Sequence, residues 1–266
     1  MSVITLLTDF GTDDEYVGLM KGVILSINPS AVIVDITHQI DRQDIVQAAF
    51  TIYSGYQYFP EGTVHLIVVD PGVGTERGLL ALKLEKQFFI APDNGVLTLL
   101  LNEKNIYSLN LITNPNYFRA SVSRTFHGRD IIAPVGAHIA NGLEVNELGP
   151  AIDVQNIACL DSLGARCTEN GDIEGEVVAI DHFGNLITNI KSEQLSECLH
   201  AGPQEEIRIR IRSNVIKGLS ETYAGVGPNT PLALIGSRGY LEIAINKGNA
   251  AQHLSAEKGE SVRVVL

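Results

Sequence analysis

The sequence predicts an α/β protein in two parts. A three-layer N-terminal domain with a mostly parallel sheet spans residues 1–160, and a small β-barrel-like domain spans 172–266. Three observations predict this. Apolar runs alternate with helix-period segments through the first half, as strands covered by helices require. Past residue 172 the helix-period segments nearly vanish, and short strand-like runs follow one another between Gly and Pro turns. The chain has 266 residues, 45% hydrophobic and 19% charged, so it is long and apolar enough to bury a sizeable core.

Taken in order, Val3 to Leu7 reads as the first strand and ends in Thr8-Asp9. Thr12-Asp13-Asp14-Glu15 has the form of a capping box, in which the hydroxyl takes an exposed N–H and the glutamate reaches back. Tyr16, Leu19, Met20, Val23 and Ile27 follow at helical spacing, and Pro29 stops that helix. Ala31 to Ile36 predicts a second, buried strand. Asp41 or Asp44 then opens a helix carrying Ile45, Ala48, Ala49, Ile52 and Tyr53. Val64 to Val69 predicts a third strand, ending in Asp70-Pro71-Gly72. Leu79 to Leu84 and Phe88 to Ala91 predict two more strands. A short helix from Gly95 to Leu101 and a further helix from Asp130 to Ala140 complete the first part.

Leu163 to Asp172, with Gly164, Asn170 and Gly171, is the expected linker. Beyond it only Ser192 to Cys198 reads as helix. Ile207 to Arg212 alternates strictly, which turns Ile209 and Ile211 toward a core and leaves Arg208, Arg210 and Arg212 as a solvated face. Leu232 to Ile235, Leu241 to Ile245 and Val262 to Leu266 complete a β-rich set.

Lys plus Arg number 19 and Asp plus Glu 31, a net charge of −12, which repels phosphate backbones and argues against a nucleic-acid partner. No apolar run reaches the ~18 residues a membrane span needs, so no membrane association is expected. Met1 to Thr8 lacks the basic start of a signal peptide. Cys159, Cys167 and Cys198 lack Cys-x-x-Cys spacing and read as reduced thiols of a cytoplasmic protein, with neither disulfides nor zinc. His38, His65, His138, His182, His200 and His253 show no ligand spacing, so no metal is expected.

The nucleoside-triphosphate loop and the dinucleotide Gly-x-Gly-x-x-Gly are absent. Gly72-Val73-Gly74 follows a strand, but its third glycine arrives one position late, at Gly78, and the segment reads as a tight turn. The informative pattern is the placing of acids. Asp9, Asp35, Asp70 and Asp93 each fall at or near the carboxyl end of an apolar strand, the edge where open parallel sheets bind ligands. Asp93, before Asn94-Gly95, reads as a turn former. Three further segments are unusual. Asp70 to Arg77 sets an acid and a base seven residues apart across a Gly-rich loop. Thr125-Phe126-His127-Gly128-Arg129-Asp130 places a His where a helix begins, and Asp181-His182-Phe183-Gly184-Asn185 is a polar turn within a β segment.

Together with Ser237-Arg238-Gly239-Tyr240, and in this order along nearly the whole chain, these segments resemble the S-adenosyl-L-methionine (SAM) hydroxide adenosyltransferases. These are SAM hydrolases related to the SAM-dependent fluorinases and chlorinases. The resemblance implies hydrolysis of SAM to adenosine and L-methionine, with SAM as substrate and no cofactor. It implies that Asp70, Arg77 and His127 orient and polarise a water that attacks C5′. It matches Asp9 to the acid that holds the ribose hydroxyls, and Asp181, Ser237 and Arg238 to the groups that hold the methionine end. Phe183, Asn185 and Tyr223 match the adenine side, with Ile245 to Lys247 at its edge. It also implies a homotrimer, with sites between subunits.

The implied chemistry is sound. A sulfonium leaves without an acid, so the task is to place an oxygen in line behind C5′ and ease the loss of its proton. The halogenating relatives lack this trio, and the fluorinases carry an extra loop that is missing between Phe88 and Tyr107; both features favour hydrolysis over 5′-halo-5′-deoxyadenosine formation. The fluorinases also carry one more residue, a Pro, before the Phe of the 181–185 turn, which bears on the role of Asp181. A non-catalytic SAM or adenosine-binding protein is the reading from another class. A phosphatase built on Asp9 needs Asp-x-Asp, and position 11 is Gly.

Overall fold

The computed structural model of the protein describes residues 2–102, 106–161, 163–199 and 207–265. The side chain of Cys198, together with His200, Leu266 and positions 103–105 of the Phe88–Tyr107 segment, lies outside the described residues. The chain divides into two compact units, Met1–Asp161 and Ser162–Leu266.

The first unit is built on a six-stranded sheet. Its strands are β1 (Val3–Thr8), β2 (Val32–Thr37), β3 (Val64–Val68), β4 (Leu79–Leu84), β5 (Phe88–Pro92) and β6 (Ile106–Leu111), in the order β2-β1-β3-β5-β4-β6. The pairings β1–β2, β1–β3 and β3–β5 are parallel, and the hairpin-linked β4 pairs antiparallel to β5 and β6. Helix α1 (Tyr16–Ile27) and helix α4 (Ala133–Ala140) cover one face. There Val17, Met20, Ile24, Val135 and Ala137 pack with Ile4, Leu6, Val64 and Leu66. The alternate side chains, Thr5, Leu7, His65 and Ile67, are buried on the other face, with α2 (Ile45–Gly55) and α3 (Thr98–Leu101). A period of two along the strand and 3.6 along the helix gives these three layers.

Two local expectations fail. The Thr12–Glu15 segment forms no capping box: α1 starts at Tyr16, and no side chain caps it. The preceding turn is held instead by Gly11 N–H donating to His38 O at 2.8 Å, so the chain enters the helix after those polar side chains have passed into solvent. The second strand is not buried but lies at the sheet edge, with Val32 38% exposed. A continuous apolar run does not tell whether both of its sides are paired. Of the two acids offered as openings for α2, Asp44 is the cap; its carboxylate accepts from Gln47 N at 2.8 Å.

The second unit is a single antiparallel sheet that curls on itself. Its strands are β7 (Arg166–Cys167), β8 (Ile173–Ile180), β9 (Leu186–Lys191), β10 (Arg208–Ile211), β11 (Asn214–Lys217), β12 (Pro231–Ile235), β13 (Tyr240–Ile245) and β14 (Ser261–Val265). The order is β11-β10-β14-β8-β9-β13-β12, with β7 added beside β8. The end strands β11 and β12 approach each other, so the sheet nearly closes into a barrel. Its interior is Ile-rich, with Ile173, Ile190, Ile209, Ile211, Ile243 and Val264 fully buried. Two short helices, α5 (Ser192–Leu199) and α6 (Ala250–Leu254), flank it. Cys159 and Cys167 are free, exposed thiols. Among the described residues no helix is long and apolar enough to cross a membrane, and no group of three or more His, Cys, Asp or Glu is placed to hold a metal.

Candidate active site

The connection β1–α1–β2 runs outward from β1, and β2–α2–β3 crosses back over it. The loop that leaves the carboxyl end of β1 therefore leads toward β2 and the loop that leaves β3 leads the other way along the sheet, toward β4, and a crevice opens between them. Asp9 stands at the end of β1 and Asp70 follows β3. A cleft of about 350 Å³ occupies this switch point, lined by Asp9, Phe10, Arg42, Gln43, Val68, Asp70, Pro71, Val73, Thr125, Phe126, His127 and Gly128.

Arg77 grips Asp70 with both ends of its fork: Nε donates to Oδ1 at 2.8 Å, and Nη2 donates to Oδ2. The pair is largely sealed from solvent, the side chains 11% and 5% exposed. The same Nη2 lies 3.1 Å from His127 Nδ1. A guanidinium has only donors, so Nδ1 must accept and the imidazole proton sits on Nε2. Burial, and then the adjacent Arg77 charge, hold the His127 pKa below its ordinary 6.5 against the opposing pull of Asp70 and Asp130. Asp70 and His127 face the cleft; Arg77 stands behind them and is a positioning residue.

Local chemistry explains each placement. The β3–β4 loop makes successive turns, with Val73 N–H to Asp70 O at 3.2 Å and Thr75 N–H to Gly72 O at 3.1 Å, and these fold Arg77 back onto Asp70. His127 precedes a π-helical turn, Gly128–Ile132, that runs into α4. Pro134 has no N–H for the carbonyl of Asp130; Arg119 N–H donates to it instead, at 3.0 Å. The Asp130 side chain is wholly buried and accepts from Arg129 Nε at 2.7 Å and from Ser123 N at 2.8 Å, which pins the loop that carries His127. Asp9 Oδ2 accepts from Gln43 N at 2.8 Å, and among the described residues Oδ1 has no hydrogen-bond partner. The Asp9 turn is held by His38, whose Nδ1 lies 2.9 Å from Thr8 Oγ1 and whose Nε2 lies 3.1 Å from Asp35.

The remaining predicted residues all border one cavity of the second unit. It measures about 610 Å³ and is lined by Asp181, Phe183, Asn185, Ile187, Tyr223, Ser237, Arg238, Glu242, Ile245, Lys247 and Gly248. Asp181 builds the β8–β9 turn: its Oδ1 accepts from Phe183 N and Asn185 N, and its Oδ2 from Asn185 Nδ2, each at 2.9 Å. That turn projects Phe183, 73% exposed, and Tyr223, 46% exposed, borders the same cavity. Ser237 and Arg238 occupy the β12–β13 turn, and Lys247 follows β13 in the left-handed region, at φ 57°. Sequence reasoning missed Arg42, Gln43 and Glu242. Arg42 and Gln43 sit in a loop with no pattern to betray them. Glu242 had a signal, a carboxylate between Leu241 and Ile243 in an apolar strand.

Similarity to known proteins follows the same division. A family model described as the SAM hydroxide adenosyltransferase N-terminal domain matches residues 4–149. Its C-terminal counterpart matches residues 175–263. The chain is 36% identical to an (R)-S-adenosyl-L-methionine hydrolase of Thermus thermophilus, over 100% of both chains. It is 30% identical to a fluorinase of an Actinoplanes species, over 98% of this chain and 97% of that one. Among solved structures, the crystal structure of an uncharacterized conserved protein from Thermotoga maritima matches with a TM-score of 0.91 at 37% identity, covering 99% of this chain and 100% of that one.

Proposed function

Since the chain belongs to the SAM hydroxide adenosyltransferase family, we propose that it hydrolyses SAM to adenosine and L-methionine by attack of water on C5′. The observation that carries this reading is the Asp70–Arg77–His127 cluster, whose carboxylate and imidazole face the same cleft as Asp9. The net negative chain suits a cationic substrate.

The geometry distributes the work. His127 Nε2–H donates to the water oxygen and turns a lone pair toward C5′. Asp70 accepts a water proton through the lone pairs that Arg77 leaves free. The water oxygen bonds to C5′ as the C5′–S bond breaks, and its electron pair returns to sulfur to give methionine. The proton on Asp70 passes to solvent. Asp9 Oδ1 holds a ribose hydroxyl, fixing C5′ for in-line attack. In the second unit Phe183, Tyr223 and Asn185 take the adenine, with Ile245 to Lys247 at its edge, and Ser237, Arg238 and Asp181 take the amino-acid end.

Turnover in ¹⁸O-labelled water tests the mechanism: the label is expected in the 5′-hydroxyl of adenosine. Survival of SAM at high enzyme concentration would sink the reading. Added chloride or fluoride is expected to give no 5′-halo-5′-deoxyadenosine, although a fluorinase is among the relatives. The R prefix in the name of the Thermus relative extends the proposal to one sulfonium epimer, read by supplying each epimer separately.

We also propose that the protein is a cytoplasmic homotrimer that needs neither metal nor cofactor, membrane nor nucleic acid. The trimer is carried over from the family resemblance. Light scattering is expected to return three times the monomer mass, and turnover is expected to survive chelation.

A further inference from the structure

Glu242 is the one carboxylate of the second cavity that the proposed roles leave unused. It is 6% exposed, in the middle of β13. Among the described residues its one hydrogen-bond partner is neutral, the Tyr223 hydroxyl, donating to Oε1 at 2.6 Å. Its other oxygen faces Gly236, where an added Cβ would lie 2.5 Å away, so the strand end leaves room for the carboxylate alone. Burial pushes the Glu242 carboxyl above its ordinary pKa; the Tyr223 hydrogen bond opposes part of the shift, Asp181 adds to it and Arg238 opposes it. Keeping a carboxylate there is costly unless something positive joins it.

The nearby charges do not balance it. The charges that act on Glu242 are Asp181 and Arg238, and the three together carry a net charge of −1. Lys247 borders the cleft but is exposed and is not among them. Asp181 already accepts three hydrogen bonds within its own turn. A SAM molecule carries an ammonium, a carboxylate and a sulfonium, a net charge of +1. Its thioether counterpart, S-adenosylhomocysteine, carries none.

We propose that Glu242 is a specificity-determining residue that makes this cavity favour adenosyl amino acids bearing a net positive charge, sulfonium compounds above all, over neutral thioethers. The proposal rests on the SAM reading above.

Calorimetry with two non-reacting ligands tests it: S-adenosylhomocysteine, and sinefungin, in which an amine-bearing carbon replaces the sulfonium. The wild type is expected to bind sinefungin more tightly. E242Q keeps the shape and the Tyr223 contact, and it is expected to weaken sinefungin about tenfold while changing S-adenosylhomocysteine less than about twofold. E242D keeps the negative charge and is expected to keep the preference for sinefungin, which covers the case in which E242Q folds poorly; loss of the preference in E242D would count against the charge as its cause. Equal losses for both ligands in E242Q, or no loss for either, would overturn the role of Glu242 and leave the hydrolase reading standing. Failure of the wild type to bind either ligand would overturn both.

Discussion

His127 carries the sharpest consequence at the scale of single residues. Its Nδ1 accepts from Arg77, so a second ring proton would set donor against donor. Its pKa lies below 6.5, from burial first and then from Arg77. The neutral form therefore prevails at pH 7, and protonation begins only in acid. We expect kcat to be flat above about pH 6.5 and to fall on the acid side, where protonation of His127 removes the acceptor that Arg77 holds. A kcat that climbs as pH is lowered from 7 to 5 would contradict this. Asp70→Asn removes the proton acceptor and keeps the size; we expect kcat to fall about 10²–10⁴-fold. Asp9→Ala removes the acceptor for ribose hydroxyls. Its KM for SAM should rise by roughly tenfold or more, and its affinity for an analogue lacking the 2′- and 3′-hydroxyls should stay unchanged.

At the scale of elements, two loops must meet for the cluster to form. Gly74, at φ 78°, lies so close to the other loop that an added Cβ would sit 2.2 Å from Arg124 O. Gly74→Ala is therefore strained in its backbone and forces the β3–β4 loop off the loop that carries His127. We expect about 1–3 kcal/mol lost stability by denaturant titration and a fall in kcat larger than any change in KM, because Arg77 is drawn away from His127. Gly72-Val73-Gly74 was legible as a tight turn; the close approach it permits was not, since the partner lies some fifty positions on. The failed capping box has the same origin. A pattern of side chains marks a helix start only if nothing elsewhere fixes the turn first, and here His38 O does.

For the molecule as a whole, His65 links acid to unfolding. It is buried on the sheet face beneath α2, stacked on Phe89 with ring centroids 4.8 Å apart and held between Thr5 and Gln87 at 2.7 and 2.9 Å. Burial drives its pKa from 6.5 down to about 4, and its hydrogen bond with Gln87 opposes only part of that fall. Between those values the unfolded chain takes up a proton that the folded chain refuses. Stability is therefore complete above pH 6.5 and is lost as pH falls toward 4, by about 3 kcal/mol from this group. Denaturant titrations at pH 7.5 and pH 4 should show His65→Gln losing less stability than the wild type by about that amount. Equal losses would show that His65 is charged in the fold.

Composition and periodicity by themselves determined the α/β half, the β-rich half and the acids at the strand ends, because those features depend on neighbours within a few positions. The order of motifs, from Thr8-Asp9 to Ser237-Arg238, determined the family. Only the tertiary structure decided that Arg77 stands behind Asp70 and His127 rather than at the cleft surface, and which ring nitrogen carries the proton. It likewise decided that the Ala31–Ile36 run is an edge strand, and that Glu242 borders the cavity of the second unit. Each of these depends on a contact between residues far apart in the chain, and such contacts are set by the packing of layers, which no local period encodes.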